Sequence, residues 1–192
     1  MSLRVISGVA KGKRLKRVPG DSTRPIMDRA KEALFNIIGA EIYNARFLDL
    51  FAGTGSVGIE ALSRGAREAL LVDLNNNAIR TIQANLQITG LGDKAIIRRT
   101  NALALLNGPP PADPFDFIYV APPQYKGIWL DVLKALDAKP DWVPDDETEI
   151  IVQIDPKEYE ATPFKHLKVT DQRRYGKTML VFLTRNEVEA DE

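Results

Sequence analysis

From Phe47 to Gly58 the chain runs Phe-Leu-Asp-Leu-Phe-Ala-Gly-Thr-Gly-Ser-Val-Gly, an apolar run closed by an acid and followed by three glycines and a helical pattern. That order imposes a strand, a tight loop and a helix. Gly53, Gly55 and Gly58 let the backbone turn sharply and approach a ligand closely at a helix N-terminus. A G-x-G-x-x-G match alone indicates no more than a nucleotide-like ligand. Asp49 narrows the choice. A carboxylate beside the loop repels a pyrophosphate and suits a ligand that carries an ammonium group.

The pattern around this loop repeats. Arg46 to Leu50 reads as a strand, with a helix running to about Arg64 and closed by Gly65. Ala69–Asp73, Lys94–Arg99, Phe115–Val120 and Glu149–Ile154 read as further strands. Between them, Asn75–Thr89, Asn101–Leu106 and Trp129–Leu136 read as helices. Strand-helix alternation builds a parallel sheet covered on both faces. Leu167–Arg174 and Thr178–Arg185 flank Tyr175-Gly-Lys177 and break the alternation with an antiparallel hairpin. Seven strands ending in a reversed hairpin separate this α/β chain from dinucleotide-binding folds. The Pro109-Pro-Pro111 stretch reads as a rigid surface loop.

The first 40 residues form an extension to that body. Residues 3–18 alternate loosely around Gly8 and Gly12 and predict a small β-hairpin. Thr23-Arg-Pro25 predicts a helix start, with Thr23 as N-cap, and Gly39 ends that helix. Ile26, Ala30, Leu34, Ile37 and Ile38 share its apolar face, with Asp28, Arg29, Lys31 and Glu32 pointing elsewhere. Formal net charge is +0 over the chain, yet residues 1–31 carry nine lysines and arginines against Asp21 and Asp28. A basic arm on a neutral-to-acidic body suits contact with a polyanion from one end, or a solvated charged hairpin. The last residues, 187–192, form an acidic tail.

Composition removes several chemistries. With Cys 0 there is no disulfide, thiolate metal site or cysteine nucleophile, which excludes methylation of pyrimidine C5 through a covalent thiolate. The single histidine, His166, argues against a histidine metal centre or a serine triad and reads as a surface or half-buried side chain. No metal is expected. No apolar run approaches the ~20 residues that span a bilayer, and no signal-peptide segment is evident, so a cytoplasmic, monomeric protein is expected.

Ligands of open α/β sheets sit beyond the carboxyl ends of the strands. Asp49, Asp73, Asn101 and Ala121 each end or follow a strand and are expected to line one crevice. S-adenosylmethionine, with its ammonium and sulfonium groups, fits Asp49 better than a nicotinamide or flavin does. Asp73 suits ribose hydroxyls, or else caps the next helix. Asn101 suits an adenine amine, or caps its own helix. The expected donor positions are Asp49, Phe51, Ala52, Gly53, Gly55, Asp73, Leu74, Asn101 and Ala102. The fourth strand leads into Ala121-Pro-Pro-Gln-Tyr125, a stiff loop whose proline carbonyls are free to accept hydrogen bonds.

Across the chain, Arg4-Val-Ile-Ser-Gly8, Lys11-Gly12, Thr23-Arg-Pro25, Asp28-Arg29, Glu32-Ala-Leu-Phe-Asn36, Leu48–Gly55, Gly58, Glu60–Ala66 and Arg173-Arg-Tyr-Gly176 stand in order. Together they resemble the bacterial 16S ribosomal RNA guanine-N2 methyltransferase family of the RsmD type. The resemblance implies a class I methyltransferase sheet, S-adenosylmethionine as donor and a guanine exocyclic amine in small-subunit RNA, naked or in an assembly intermediate, as acceptor. It also implies that Lys11, Lys13, Arg14, Lys16, Arg17 and Arg24 grasp RNA. At the catalytic loop it implies that the Pro122 carbonyl holds the amine and Tyr125 stacks on the base. One departure stands out. The family carries an acidic residue where this chain has Ala121, leaving Gln124 as the replacement acceptor, and Asn101 stands where the family more often has Asp. A donor-binding, RNA-binding module with little catalysis is therefore the alternative reading, and a nicotinamide-dependent oxidoreductase is a third that rests on the glycines alone.

Overall fold

A computed structural model describes residues 3–20 and 26–186. The chain divides into two compact units, Met1–Ala102 and Leu103–Glu192. Among the described residues, β1 (Arg46–Asp49), β2 (Glu68–Asp73), β3 (Ala95–Arg99), β4 (Phe117–Val120), β5 (Glu149–Ile154), β6 (Leu167–Tyr175) and β7 (Thr178–Arg185) belong to one seven-stranded mixed sheet, in the order β3-β2-β1-β4-β5-β7-β6.

In the first unit, β1 (Arg46–Asp49), β2 (Glu68–Asp73) and β3 (Ala95–Arg99) run parallel. Every residue of β1 is buried, as a strand covered on both faces requires. Helix α2 (Ser56–Ser63) lies so close to β2 that a Cβ on Gly58 would stand 2.2 Å from Leu71 Cδ2. Gly58 is thus a packing glycine. Helix α3 (Asn76–Thr89) is capped by Asn75, whose side chain accepts from Asn77 N at 2.8 Å, and stops at Gly90 with φ 72°. Asp73 is not that cap.

The N-terminal extension folds back on itself as expected, as a short antiparallel arm. Its one bridge, Arg4 with Arg14, is flanked by Val5 N donating to Lys13 O at 2.9 Å and Leu15 N to Leu3 O at 2.8 Å. The turn of the arm bonds outward instead. Ile6 N and Ser7 N donate to Glu60 at 2.9 and 3.0 Å, and Ala10 N donates to Ser63 Oγ at 3.0 Å. Helix α2 thereby seats the tip of the arm. Leu3, Val5, Ala10, Leu15 and Val18 are buried beneath the segment.

Helix α1 spans Asp28–Ile38, with Met27 in the extended N-cap position, so it does not start at Thr23–Pro25. Thr23, Arg24 and Pro25 lie outside the described residues, as does the acidic tail. Its buried face is Ala30, Lys31, Leu34, Phe35 and Ile38, whereas Ile37 is exposed. Lys31 was expected to point outward and is 0% exposed. The cause is a buried partner: Lys31 Nζ lies 3.5 Å from Glu60 Oε2 and donates to Arg4 O at 2.7 Å. Burial pulls its ammonium below the ordinary lysine value, and Glu60 opposes the shift.

In the second unit, α4 (Ala102–Asn107) begins at its boundary, and β4 (Phe117–Val120) runs parallel to β5 (Glu149–Ile154). Strand β7 (Thr178–Arg185) runs antiparallel to both β5 and β6 (Leu167–Tyr175), so the reversed hairpin is present, with an irregularity between Val169 and Asp171. Helix α5 (Ile128–Ala138) buries Trp129, Val132, Leu133 and Leu136. His166 is half-buried. Among the described residues no helix is long and apolar enough to cross a membrane, and no group of three or more metal-ligating side chains gathers.

Candidate functional site

The first unit brings Asp49, the glycine loop, Asp73 and Asn101 to the carboxyl ends of three neighbouring strands. Asp49 ends β1 and Asp73 ends β2. Thr100 N donates to Asp73 O at 3.2 Å, which sets Asn101 beside the end of β2. The loop folds back on the same strand. Ala52 N donates to Val72 O at 2.8 Å, and Gly53 N donates to Asp73 Oδ2 at 2.9 Å. Gly53 and Gly55 take φ of 54° and 80°, the left-handed region that favours glycine, and a Cβ on Gly53 would meet nothing within 4 Å. Gly53 therefore serves the turn and leaves the space in front of it open.

Asp49 is 1% exposed, and its carboxylate accepts a hydrogen bond from Phe51 N at 3.2 Å. Burial pushes its carboxyl up to about 7 from an ordinary 3.8, with the Phe51 N–H opposing and the charge of Asp73 adding to the rise. A carboxylate so placed is poorly stabilised until a cation arrives. The site fits a ligand bearing an ammonium group.

Asp73 uses one oxygen on Gly53 N and the other on Asn75 N, at 2.8 Å. Each carboxylate oxygen has a second lone pair, so both remain able to accept a hydrogen bond from a ligand. Leu74 is exposed just beyond it, Phe51 is half-buried, and Ala52 and Ala102 are buried. Thus the positions expected to hold a donor all lie within one unit.

The Ala121–Tyr125 loop belongs to the second unit and leaves the end of β4. Ala121 is half-buried, Pro122 buried, and Gln124 and Tyr125 exposed. Tyr125 has φ 60°; its N–H donates to Glu158 Oε1 at 2.5 Å and its hydroxyl to Asp155 Oδ2 at 2.7 Å.

Lys11, Lys13, Arg14, Lys16 and Arg17 are all exposed on the N-terminal segment, while Arg24 lies outside the described residues. Lys13 Nζ donates to Ile88 O at the end of α3, at 3.1 Å. Sequence reasoning missed the anchors beneath this segment, Glu60 and Asn85. It also missed Asp155 and Glu158. For Lys31 the signal existed: Leu34, Phe35 and Ile38 follow it by three, four and seven residues, so it stands on their face.

The strand order, the acid closing β1 and the glycine loop after it define a methyltransferase of the class I fold. The chain belongs to the family described as Conserved hypothetical protein 95, whose model matches residues 3–184. It is 44% identical over 135 residues to "Putative rRNA methyltransferase YlbH" of Bacillus subtilis, covering 70% of this chain and 73% of that one. It is 31% identical over 144 residues to ribosomal RNA small subunit methyltransferase D of Escherichia coli K12, covering 75% and 71%. Among solved structures, "Putative methyltransferase yhhF" of Escherichia coli matches with a TM-score of 0.81 at 28% identity, over 96% of this chain and 98% of that one.

Proposed function

We propose that this chain transfers a methyl group from S-adenosylmethionine to the exocyclic N2 amine of a guanine in 16S ribosomal RNA, naked or within an assembling small subunit. The observation that carries the donor is the buried Asp49 carboxylate beside an open glycine turn. The acceptor rests on the relatives, two of which are named for ribosomal RNA methylation.

Bound donor supplies an electrophilic methyl on a sulfonium. Asp49 pairs with the ammonium, and Asp73 accepts from the ribose hydroxyls. Asn101, beyond β3, meets the adenine. In the second unit the Pro122 carbonyl and Gln124 Oε1 accept the amine hydrogens, which orients the nitrogen lone pair for attack. Tyr125 stacks on the base. The N–C bond would form as the C–S bond breaks, S-adenosylhomocysteine would leave, and the cationic nitrogen would release its proton to solvent water. The exposed lysines and arginines of residues 11–17 hold phosphates, and no residue there needs to touch a base edge.

Purified protein with labelled donor, offered unmodified small subunits and naked 16S RNA, is expected to label a guanine N2. Donor binding without label in either RNA would sink the catalytic claim. Ala121 favours the second reading, a donor-binding RNA module with weak catalysis, because it removes one acceptor worth roughly 100- to 1,000-fold in rate. Ala121→Asp separates the two. Robust wild-type activity left unchanged by the substitution rejects the module, whereas a large gain from near zero supports it.

A further inference from the structure

A left-handed backbone is uncommon for any residue with a side chain and persists only where its surroundings over-determine it. Tyr125, at φ 60°, is held from both ends. Its N–H donates to Glu158 Oε1 at 2.5 Å, and its hydroxyl donates to Asp155 Oδ2 at 2.7 Å. These two acids are themselves locked together. Asp155 Oδ1 accepts from Lys157 N at 2.9 Å, and Asp155 N donates to Glu158 Oε2 at 3.4 Å. The result is a reciprocal box at the short 3-10 turn Pro156–Glu158, directly after β5. Strand β5 pairs with β4 in register, Val152 opposite Val120, so the box stands on the strand beside the one that launches the Ala121–Tyr125 loop.

The ring does not follow its polar ends into the fold; Tyr125 is 64% exposed. A tyrosine kept for packing would bury its ring and leave the hydroxyl to water. Here the polar groups are engaged and the aromatic surface is on display, already ordered. Much of the entropy of fixing a stacking platform is therefore spent before the ligand arrives. The Tyr125 hydroxyl, with Lys157 N–H, also holds the Asp155 carboxyl below the usual carboxylate range, which keeps it ionised and a strong acceptor.

We propose that Asp155 and Glu158 are positioning residues that fix the Tyr125 ring as the platform for the acceptor base, an inference that rests on the methyltransferase reading above. Neither acid needs to touch the base. They act through the tyrosine, and their contribution is geometric.

Full-length wild type, Tyr125→Phe, Asp155→Ala, Asp155→Asn and the double variant Tyr125→Phe/Asp155→Ala are compared in methyl transfer to small-subunit RNA. Tyr125→Phe keeps the ring and removes only its hydroxyl anchor. It and Asp155→Ala are each expected to lower kcat/KM for RNA about tenfold, the scale of one hydrogen bond to a charged group. The double variant should be no worse than the worse single, because both remove the same bond. Asp155→Asn keeps an acceptor oxygen and should recover most of the rate. The KM for the donor should not move in any of them. An active wild type with unimpaired Tyr125→Phe and Asp155→Ala, or with additive losses, overturns this inference alone. A wild type that binds S-adenosylhomocysteine but methylates neither RNA form overturns the catalytic reading and this inference with it.

Discussion

The side-chain amide of Asn85 clasps the backbone of Lys16 from both sides: Oδ1 accepts from Lys16 N at 2.7 Å and Nδ2 donates to Lys16 O at 3.0 Å. The same Nδ2 donates to Thr54 O at 2.8 Å, inside the glycine loop. One fully buried residue of α3 thus ties the basic segment to the donor loop. Asn85→Ala leaves three backbone groups short of a partner at once. Urea unfolding should show a loss of about 2–3 kcal/mol, and calorimetry a weaker grip on S-adenosylhomocysteine. A stability change under about 0.5 kcal/mol would count against the clasp.

The role proposed for Asp49 predicts that donor binding depends on pH. Its carboxyl is raised to about 7, so below that pH the free site holds a proton that an arriving ammonium must displace. Affinity for S-adenosylhomocysteine should climb from pH 6 toward 7, by up to about tenfold per unit, and level off above. The linkage to folding has the opposite direction. Between the ordinary value of 3.8 and about 7 the folded chain keeps a proton that the unfolded chain has released. Stability contributed by this group is present at acid pH and is lost as pH rises through that window. Asp49→Asn should abolish both slopes. Titrations in buffers of different ionisation enthalpy, which count released protons, provide the check. Affinity that stays flat from pH 6 to 8 would refute the role given to Asp49.

The Lys31–Glu60 pair is wholly buried, and Glu60 also accepts from Arg64 Nε at 2.9 Å and from two backbone N–H groups of the N-terminal segment. Such a hub is costly to break from one side, because Glu60 keeps its burial and loses one of its two cationic partners. Lys31→Met, close in shape, should destabilise by about 3 kcal/mol. Lys31→Met/Glu60→Gln should recover part of it. The comparison is made by equilibrium unfolding; a double variant as unstable as the sum of both singles would show that charge pairing is not what binds the segment.

How far the sequence exposed this fold depends on where each signal lies. Asp49, Gly53, Gly55 and Asp73 were legible because strand-end acids and turn glycines are local features, and the backbone of residues 46–73 follows their order. The seat of the 3–18 arm was not, because Ile6 and Ala10 donate to Glu60 and Ser63, more than fifty positions away in sequence. Helix α1 shows the limit of charge as a guide. Lysine usually marks a solvated face, yet apolar spacing put Lys31 inside, and Glu60 together with Arg4 O made that tolerable. Likewise Tyr125 could be picked out as an aromatic after two prolines. Its left-handed backbone and its two acids come from a turn thirty residues later, which no local pattern announces.

The basic segment yields a prediction that separates electrostatics from fold. Lys13 and Arg14 are both exposed, and Lys13 Nζ is steadied by Ile88 O at 3.1 Å, so its charge is held in place at the end of α3. Each phosphate contact releases counterions, and a lost contact flattens the dependence of log affinity on log salt by roughly 0.7 to 0.9. Lys13→Gln/Arg14→Gln should therefore weaken binding to 16S RNA and lower the slope by roughly 1.4 to 1.8. The segment's seat on α2 and α3 uses the backbone of Ile6, Ser7, Ala10 and Lys16, none of it altered by the change. Thermal stability and S-adenosylhomocysteine affinity should consequently match wild type. An unchanged salt slope would remove Lys13 and Arg14 from the RNA surface, whereas a reduced slope with intact donor binding assigns them to phosphate.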